Sequence, residues 1–390
     1  MVPLLPQVKS TRFGGLSTSI QKTLTILGLL FVFLMGIQCL GDGFKLLGRD
    51  LLNAFFATTE NPFLGLMVGI LATTLVQSSS VTTAMIVGLV AAPENPLPIA
   101  NAVPMVMGAN IGTTVTNTMV SLAHVARPDE FRRAFSVATC HDFFNFIAVA
   151  VLLPLELMTG FLRSTAVTLA SSYGTIGGIQ YESPLKNLLK MAIDPIKQLV
   201  EWLLQGQRGQ AVLLILVSGV MIVSALFLLV AVMKSATESR VESFITRSLG
   251  RSALLSMLVG AIVTVMVQSS SITTSLLVPL AGAGLLSLEY AFPVTLGANV
   301  GTTVTALLAT LAVTGPNATA GVEIALVHVL FNLSGIALIY PVRSIRRLPL
   351  MAAQRLAEVA VKSRKWALIY VLGLFYGLPA ALVILSRLFE

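Results

Sequence analysis

The chain has 390 residues, of which 55% are hydrophobic and only 11% are charged, and its formal net charge is +8. Because soluble domains carry about 25% charged residues, this composition and a mean hydropathy of +0.88 exclude an ordinary soluble protein. The Lys and Arg residues lie in short segments between apolar runs, which favours membrane loops over a nucleic-acid-binding surface. Cys39 and Cys140 lie within apolar runs, where packed or free thiols are expected rather than disulfides.

The first half of the chain contains long apolar runs with polar interruptions. Several runs exceed the ~18–20 residues that cross a bilayer, which predicts an all-α polytopic membrane protein rather than a β-barrel. Residues 1–22 form a basic N-terminal segment, and a first repeat is predicted over residues 23–162. Within it, residues 61–92 are interrupted by QSSS and residues 99–123 by GANIGTT, and a long helix containing CHDFFN follows.

The second half repeats this order. Residues 163–210 are the least hydrophobic stretch and are predicted to form an external linker with an amphipathic helix. A second repeat is predicted over residues 211–342, with QSSS inside residues 252–287 and GANVGTT inside residues 291–313, followed by HVLFN. Residues 343–390 read as a basic connector and a C-terminal helix.

Three different motifs therefore occur twice, in the same order. The second copy follows the first by 191 residues for QSSS, by 189 for GANxGTT and by 187 for the motif that contains histidine. Such nearly constant offsets indicate an internal duplication, because unrelated coincidences would not preserve both the order and the spacing.

Charge placement predicts the orientation of the two repeats. With the N-terminus in the cytoplasm and each QSSS segment as a re-entrant hairpin, the Arg-rich loops fall inside, and the loop TGPNATA, which has neither Lys nor Arg, falls outside. Each repeat then has three crossings, so the second is inserted upside down. Inverted repeats with interrupted helices are typical of secondary transporters, here one that is multi-pass in the plasma (inner) membrane.

The QSSS segments are the predicted anion site. A break in a membrane helix is tolerated only where it lines a wet, enclosed cavity, and the helix that begins there offers unpaired N–H groups and a positive dipole end. Two such breaks in inverted repeats would meet near the middle of the membrane. The residues expected to face one another there are Gln77, Ser78, Ser79 and Ser80 in the first copy and Gln268, Ser269, Ser270 and Ser271 in the second.

The GANxGTT segments are the predicted cation sites, because neutral side-chain and carbonyl oxygens suit small hard cations. The glycines at positions 108, 112, 297 and 301 are expected to let the backbone approach a ligand. The side chains expected to supply oxygens are Asn110, Thr113 and Thr114 in the first copy and Asn299, Thr302 and Thr303 in the second.

The predicted core is almost without charge. Glu94 is the only charged residue from 61 to 126, and Glu289 is the only one from 252 to 322. A multiply charged anion would therefore enter this site only together with cations from solution, which is a mechanism of coupling. Asp142 is the exception, an ionisable residue within a span, and such residues are by default functional; it is expected to bind an ion or to carry a proton.

The segments GANIGTTVTNTMV, FRRAFSVATCHDFFNF, VLLPLE and FNLSGIALIYPV, with both QSSS motifs, resemble the type II sodium-dependent phosphate cotransporters over residues 28–342. The resemblance implies uptake of phosphate, preferably divalent, with sodium ions as co-substrate and no other cofactor or transition metal. It implies that the QSSS hydroxyls and backbone bind phosphate. It also implies that QSSS and GANxGTT oxygens, including Gln268 and Ser269, bind sodium, and that Asp142 makes transport electrogenic.

The short linker lacks the cysteines of the animal relatives, so a bacterial member is expected. A homodimer is left open, as are stoichiometry, affinity and the choice between sliding and rocking motions. Two alternatives are also kept. One is a sodium-coupled transporter of another small anion, a carboxylate or sulfate. The other, more remote, is an intramembrane serine hydrolase that uses a QSSS serine with His141 and Asp142.

Overall fold

The computed structural model describes residues 14–47, 59–176, 184–248, 252–313 and 315–389. The regular secondary structure of this part of the chain is all helical, without a strand, which confirms the all-α class. Most of the predicted N-terminal segment lies outside the described residues. Among the described residues, six helical segments are long and apolar enough to cross a membrane: Ile20–Leu40, Pro128–Thr159, Gln207–Leu229, Leu288–Ala309, Ala318–Ile339 and Lys365–Ser386.

The first half, the linker and the first span of the second half contribute nine α-helices to the described part of the chain. They are α1 Gly14–Leu47, α2 Pro62–Val76, α3 Ser79–Val90, α4 Ile99–Gly112, α5 Val115–Ser121, α6 Pro128–Thr159, α7 Phe161–Ile176, α8 Pro184–Leu203 and α9 Gln207–Ser248.

The second half and the C-terminal region follow the same pattern of short and long helices. They form α10 Ala253–Val267, α11 Ser270–Ser275, α12 Leu277–Gly282, α13 Leu288–Ala309, α14 Ala318–Ile339, α15 Arg343–Lys362, α16 Lys365–Leu372 and α17 Leu378–Phe389. A single π-helical turn, Gly373–Gly377, joins α16 to α17.

Each QSSS motif is the tip of a helical hairpin, with residues 77–80 forming the first tip and residues 268–271 the second. Gln77 ends α2 in the left-handed conformation (φ 58°, ψ 25°), and Gln268 ends α10 in the same way (φ 55°, ψ 27°). The following serine then caps the next helix, because the hydroxyl of Ser78 or Ser269 accepts a backbone N–H bond at 3.3 Å. Both α2 and α10 have 15 residues, about 22 Å at 1.5 Å per residue, which is shorter than the hydrocarbon core of a bilayer.

The glycines of GANxGTT hold each hairpin against the following helix. A Cβ added at Gly108 would lie 2.1 Å from the carbonyl oxygen of Leu66 in α2, and one at Gly297 would lie 1.8 Å from that of Met257 in α10. Gly112 and Gly301 face backbone carbonyls of α2 and α10 in the same manner. The expectation that these glycines admit a ligand is therefore corrected, because the space that each leaves is occupied by a neighbouring backbone.

The two GANxGTT helices differ, although both were expected to be broken. In the first copy the helix is interrupted at Thr113 and Thr114, between α4 and α5. The side-chain amide of Asn145 donates to the carbonyl of Asn110 at 3.0 Å, and the Thr114 N–H bonds instead to the carbonyl of Ile111 at 3.5 Å.

The second copy contradicts the expected break, because α13 is one continuous helix of 22 residues. Asn332 corresponds to Asn145 in the duplication, but its amide donates to the carbonyl of His328 within its own helix at 3.0 Å. The carbonyl of Asn299 therefore receives no bond from Asn332 and stays in the helical ladder.

The remaining helices enclose the two hairpins. The spanning helices α1 and α9 pack along each other, and α15 packs against α6. The linker helix α8 is attached to α1 by an ion pair between Lys197 and Asp42. Cys39 and Cys140 are both buried and free, as their apolar surroundings predict.

Candidate functional site

A cavity of about 200 Å³ lies between the two QSSS tips. It is more than ten times the roughly 10–15 Å³ that one water molecule requires, so it can hold a small solute. The polar residues that line it are Gln77, Ser78 and Thr116 from the first half and Gln268, Ser269 and Ser271 from the second. Val81, Ile272 and two residues of α9, Leu226 and Phe227, supply an apolar wall.

The two glutamines are held by matching hydrogen bonds. The Oε1 atom of Gln77 accepts from the Thr116 hydroxyl at 2.9 Å, and that of Gln268 accepts from the Thr305 hydroxyl at 3.0 Å. Each Nε2 donates to the carbonyl three residues earlier in its own helix, at 2.5 and 2.7 Å. These bonds support the left-handed backbone at each tip, a conformation that costs free energy for a residue with a side chain.

The serines of the two tips do not have equivalent positions. Ser78, Ser269 and Ser271 line the cavity, and all three are partly exposed. The other predicted phosphate ligands, Ser79, Ser80 and Ser270, are buried outside the cavity lining. The predicted set is therefore divided between residues at the cavity and residues in the first turns of α3 and α11.

The histidine-containing helices contact the asparagines of the opposite half. His141 Nε2 lies 2.5 Å from Asn299 Oδ1, and His328 Nε2 lies 3.5 Å from Asn110 Oδ1. Asn145 extends this buried network, because its Oδ1 accepts from Asn299 Nδ2 at 3.0 Å. Asn110 and Asn299, both predicted sodium ligands, thus lie in a polar network between the halves and do not line the cavity.

Asp142 lies in a separate polar cluster. The Tyr370 hydroxyl donates to its Oδ2 atom at 2.5 Å. The Thr114 side chain lies close to this carboxyl group, but its hydroxyl donates to the carbonyl of Ile111 at 2.9 Å. Asp142 is fully buried. Two predicted sodium ligands, Asp142 and Thr114, are therefore neighbours next to the break between α4 and α5.

The remaining threonines of GANxGTT bond to their own helices. The hydroxyls of Thr113 and Thr302 each donate to the carbonyl four residues earlier at 3.0 Å. The Thr303 hydroxyl donates to the carbonyl three residues earlier at 2.7 Å. A hydroxyl that donates in this way keeps its lone pairs available to a cation.

Several polar residues at the site were not predicted. Thr116 and Thr305 are part of the duplicated sequence TTVT, so their offset of 189 residues was a usable signal. Asn117 bonds to Thr274 at 2.8 Å and so links α5 to α11, but it is not duplicated. Tyr370 lies 228 residues after its partner, and no local pattern predicts such a contact.

The chain matches a known protein family. The model of the Na+/Pi-cotransporter family matches residues 32–156 and 221–356. These ranges include both tips, both GANxGTT segments and both histidine motifs.

The chain is also similar to curated relatives. It is 34% identical to sodium-dependent phosphate transport protein 2A of Rattus norvegicus, over 95% of this chain and 68% of the relative. The corresponding protein 2A of Ovis aries is 34% identical over 94% and 68%, and protein 2B of Homo sapiens is 31% identical over 94% and 65%. No solved structure matches. The chain belongs to the Na+/Pi-cotransporter family.

Proposed function

We propose that this protein carries inorganic phosphate and sodium together across the membrane, and that the cavity between the QSSS tips binds the phosphate. The observation that carries the proposal is the lining of this cavity, to which both copies of the motif contribute. If phosphate were bound by only one copy of the motif, the second tip would have no role in binding.

The cavity has the chemistry of an anion site without fixed positive charge. It offers the hydroxyls of Ser78, Ser269 and Ser271, and α3 begins beside it with first-turn N–H groups that have no partner within the helix. The Nε2 group of Gln77 already donates to the Thr74 carbonyl and to the Tyr376 hydroxyl, so this glutamine positions the tip. None of the described residues that line the cavity is charged. Because an unneutralised anion is costly to desolvate, phosphate would enter together with sodium, and each ion would lower the cost of binding the other.

The cluster of Asp142, Thr114 and Tyr370 supports one sodium position. A carboxylate, two hydroxyls and the carbonyls at the Thr113–Thr114 break are oxygen donors of the kind that alkali cations prefer. A fixed carboxylate also changes how many cations are needed for neutrality, so we infer that Asp142 makes the cycle electrogenic. Gln268, Ser269, Asn299, Thr302 and Thr303 are proposed to serve further sodium ions.

We also propose that the two halves, residues 23–162 and 211–342, are inverted repeats with the N-terminus in the cytoplasm and with re-entrant hairpins. The reciprocal contacts between each histidine and the asparagine of the other half support a pseudo-two-fold arrangement. The positive-inside distribution of Lys and Arg supports the orientation.

The difference between Asn145 and Asn332 suggests how access alternates. In this conformation the Asn145 amide bonds to the carbonyl of Asn110, and the first GANxGTT helix is broken. Asn332 bonds within its own helix, and the second GANxGTT helix is continuous. We propose that the two halves exchange these roles in the opposite-facing state. Asn332 would then bond to the carbonyl of Asn299, and Asn145 would release Asn110.

The serine-hydrolase alternative does not fit the geometry. His141 is bonded to Asn299 and Asp142 to Tyr370, so the two side chains bond to different partners, neither of which is a QSSS serine. The curated relatives are transport proteins. The protein is therefore a transporter and not an enzyme.

The central test is uptake of radiolabelled phosphate into proteoliposomes under an imposed sodium gradient, compared with a potassium gradient. Uptake should require sodium, and unlabelled arsenate should compete whereas sulfate and citrate should not. Competition by sulfate or citrate instead would assign the cavity to another anion.

The Ser271→Ala variant tests the cavity itself, because Ser271 lines the cavity and does not cap a helix. Removal of one ligand hydroxyl should lower phosphate affinity about tenfold. Ser218→Ala is the matched control, since Ser218 lies in α9 outside the cavity lining and its hydroxyl donates to the carbonyl of Leu214. Equal affinity in the two variants would contradict the assignment of phosphate to this cavity.

A further inference from the structure

A second polar cavity lies where α10, α13 and α15 meet, apart from the QSSS tips. Its volume is about 300 Å³, and it shares no lining residue with the central cavity. Three arginines at the start of α15, Arg343, Arg346 and Arg347, line it together with the side chains of Ser252 and Ser256. The set combines guanidinium and hydroxyl donors around one space.

The arginines are not neutralised by the protein. Glu289 is the one carboxylate in the lining, and no ion pair joins any of the three arginines to an acidic group in the part of the chain that the structure describes. Arg346 is positioned by stacking, with its guanidinium carbon 4.8 Å from the centre of the Tyr340 ring. The lining therefore has a formal charge of +2.

A neighbouring cavity of about 420 Å³ provides a comparison within the same molecule. It is lined by Arg132 and Arg133, but both have partners. Arg133 donates to the carbonyls of Ala281 and Gly282, the latter at 2.6 Å, and Arg132 lies 3.5 Å from a carboxylate oxygen of Asp129. These two arginines bond to carbonyl or carboxylate oxygens of the protein, whereas in the described part of the chain the side-chain contact seen for the three at α15 is the stacking of Arg346 on Tyr340.

The three arginines lie at the positive end of the α15 helix dipole, which increases the positive potential in the cavity. They occupy the first turns of the helix, where the dipole is positive, and the first turn contains no acidic residue and no side-chain cap. Like charges concentrated at this end destabilise the helix start unless an anion is present. In a helix selected for stability alone, the first turn would be expected to carry carboxylates rather than arginines.

We propose that this cavity binds a phosphate group, carried either by free inorganic phosphate or by the headgroup of a membrane lipid. Arginines make bidentate hydrogen bonds to phosphate oxygens, and basic pockets between membrane helices bind phosphorylated headgroups. The Ser252 hydroxyl accepts from the Leu255 N–H at 3.1 Å and keeps its own proton, so it would complete the set of donors, whereas the Ser256 hydroxyl already donates to the carbonyl of Ser252. This site is separate from the central cavity, and its test does not depend on transport.

The experiment compares the Arg343→Gln/Arg346→Gln/Arg347→Gln variant with Arg355→Gln in two binding assays. Arg355 is exposed on the same helix and does not line the cavity, so it controls for loss of charge. In the lipid assay, protein from vesicles of phosphatidylcholine with phosphatidic acid is analysed for retained lipid by native mass spectrometry. In the phosphate assay, equilibrium binding of radiolabelled phosphate is measured on proteins that also carry Ser271→Ala.

Loss of about tenfold in retained phosphatidic acid, specific to the triple variant, would assign the site to a lipid headgroup. A similar specific loss in the phosphate assay would assign it to free phosphate. No loss in either assay, or an equal loss in the Arg355→Gln control, would overturn the proposal. Because the triple change could impair folding, Arg347→Gln alone, at an exposed position, is measured in parallel and should show a smaller loss of the same kind.

Discussion

Replacing Gly108 by alanine is expected to separate the first hairpin from the helix that supports it. The new Cβ would lie 2.1 Å from the carbonyl oxygen of Leu66, whereas a comfortable C···O contact is about 3.3 Å. Helix α2 would therefore have to move by about 1.2 Å. Because the obstructing atom belongs to the backbone, a change of side-chain rotamer cannot relieve the contact.

The expected cost is at the upper end of the ~1–3 kcal/mol that overpacking usually causes. At about 2–4 °C per kcal/mol in domains of 150–250 residues, Gly108→Ala should lower the apparent Tm by several degrees. The same movement displaces the first QSSS tip from the second, so phosphate affinity should fall as well. Thermal stability of the detergent-solubilised protein and sodium-dependent uptake measure the two effects.

Gly219→Ala is the matched control for Gly108→Ala. Gly219 lies in the spanning helix α9, and a Cβ there would meet no atom within 4 Å. Alanine is favoured over glycine inside a helix by about 1 kcal/mol, so this variant should be at least as stable as the parent protein. If Gly108→Ala and Gly219→Ala had the same Tm, the close approach of α2 and α4 would not have the role assigned to it.

Three further predictions concern the polar networks. Asn145→Ala removes one bond to each half at roughly 1 kcal/mol each, about 2 kcal/mol together, so it should reduce sodium-dependent uptake about thirtyfold. Asn332→Ala should reduce uptake less, and equal losses would contradict the difference between the halves. Tyr370→Phe, which removes one oxygen next to Asp142, should raise the sodium concentration needed for half-maximal uptake, and an unchanged sodium dependence would separate this cluster from cation binding. Asp142→Asn should reduce the phosphate-evoked current per phosphate carried, measured in voltage-clamped membranes, and an unchanged ratio would rule out its proposed charge.

The amino-acid sequence determined the class of the protein and the identity of its repeated parts. Continuous apolar runs can only be membrane helices, so the all-α class follows from composition and run length. The duplicated QSSS motif identified both hairpin tips. A polar break in an apolar run is easily recognised in a sequence, and its recurrence in the second half makes coincidence a poor explanation. The duplicated pattern TTVT also contained Thr116 and Thr305. The offset between them could be read from the sequence, but their hydrogen bonds to Gln77 and Gln268 could not.

Only the tertiary structure decided which atoms face each other. Gly108 and Gly297 appear in the sequence as ligand-approach glycines, but they are packed against carbonyls more than thirty residues earlier in the chain. The break between α4 and α5 and the continuity of α13 arise from nearly identical segments. The two copies differ because Asn145 bonds to a carbonyl on another helix, whereas Asn332 bonds within its own helix. Local sequence specifies which groups can donate and accept hydrogen bonds. The distances between those groups in three dimensions select the partners, and two copies of a motif need not have the same distances in any one conformation.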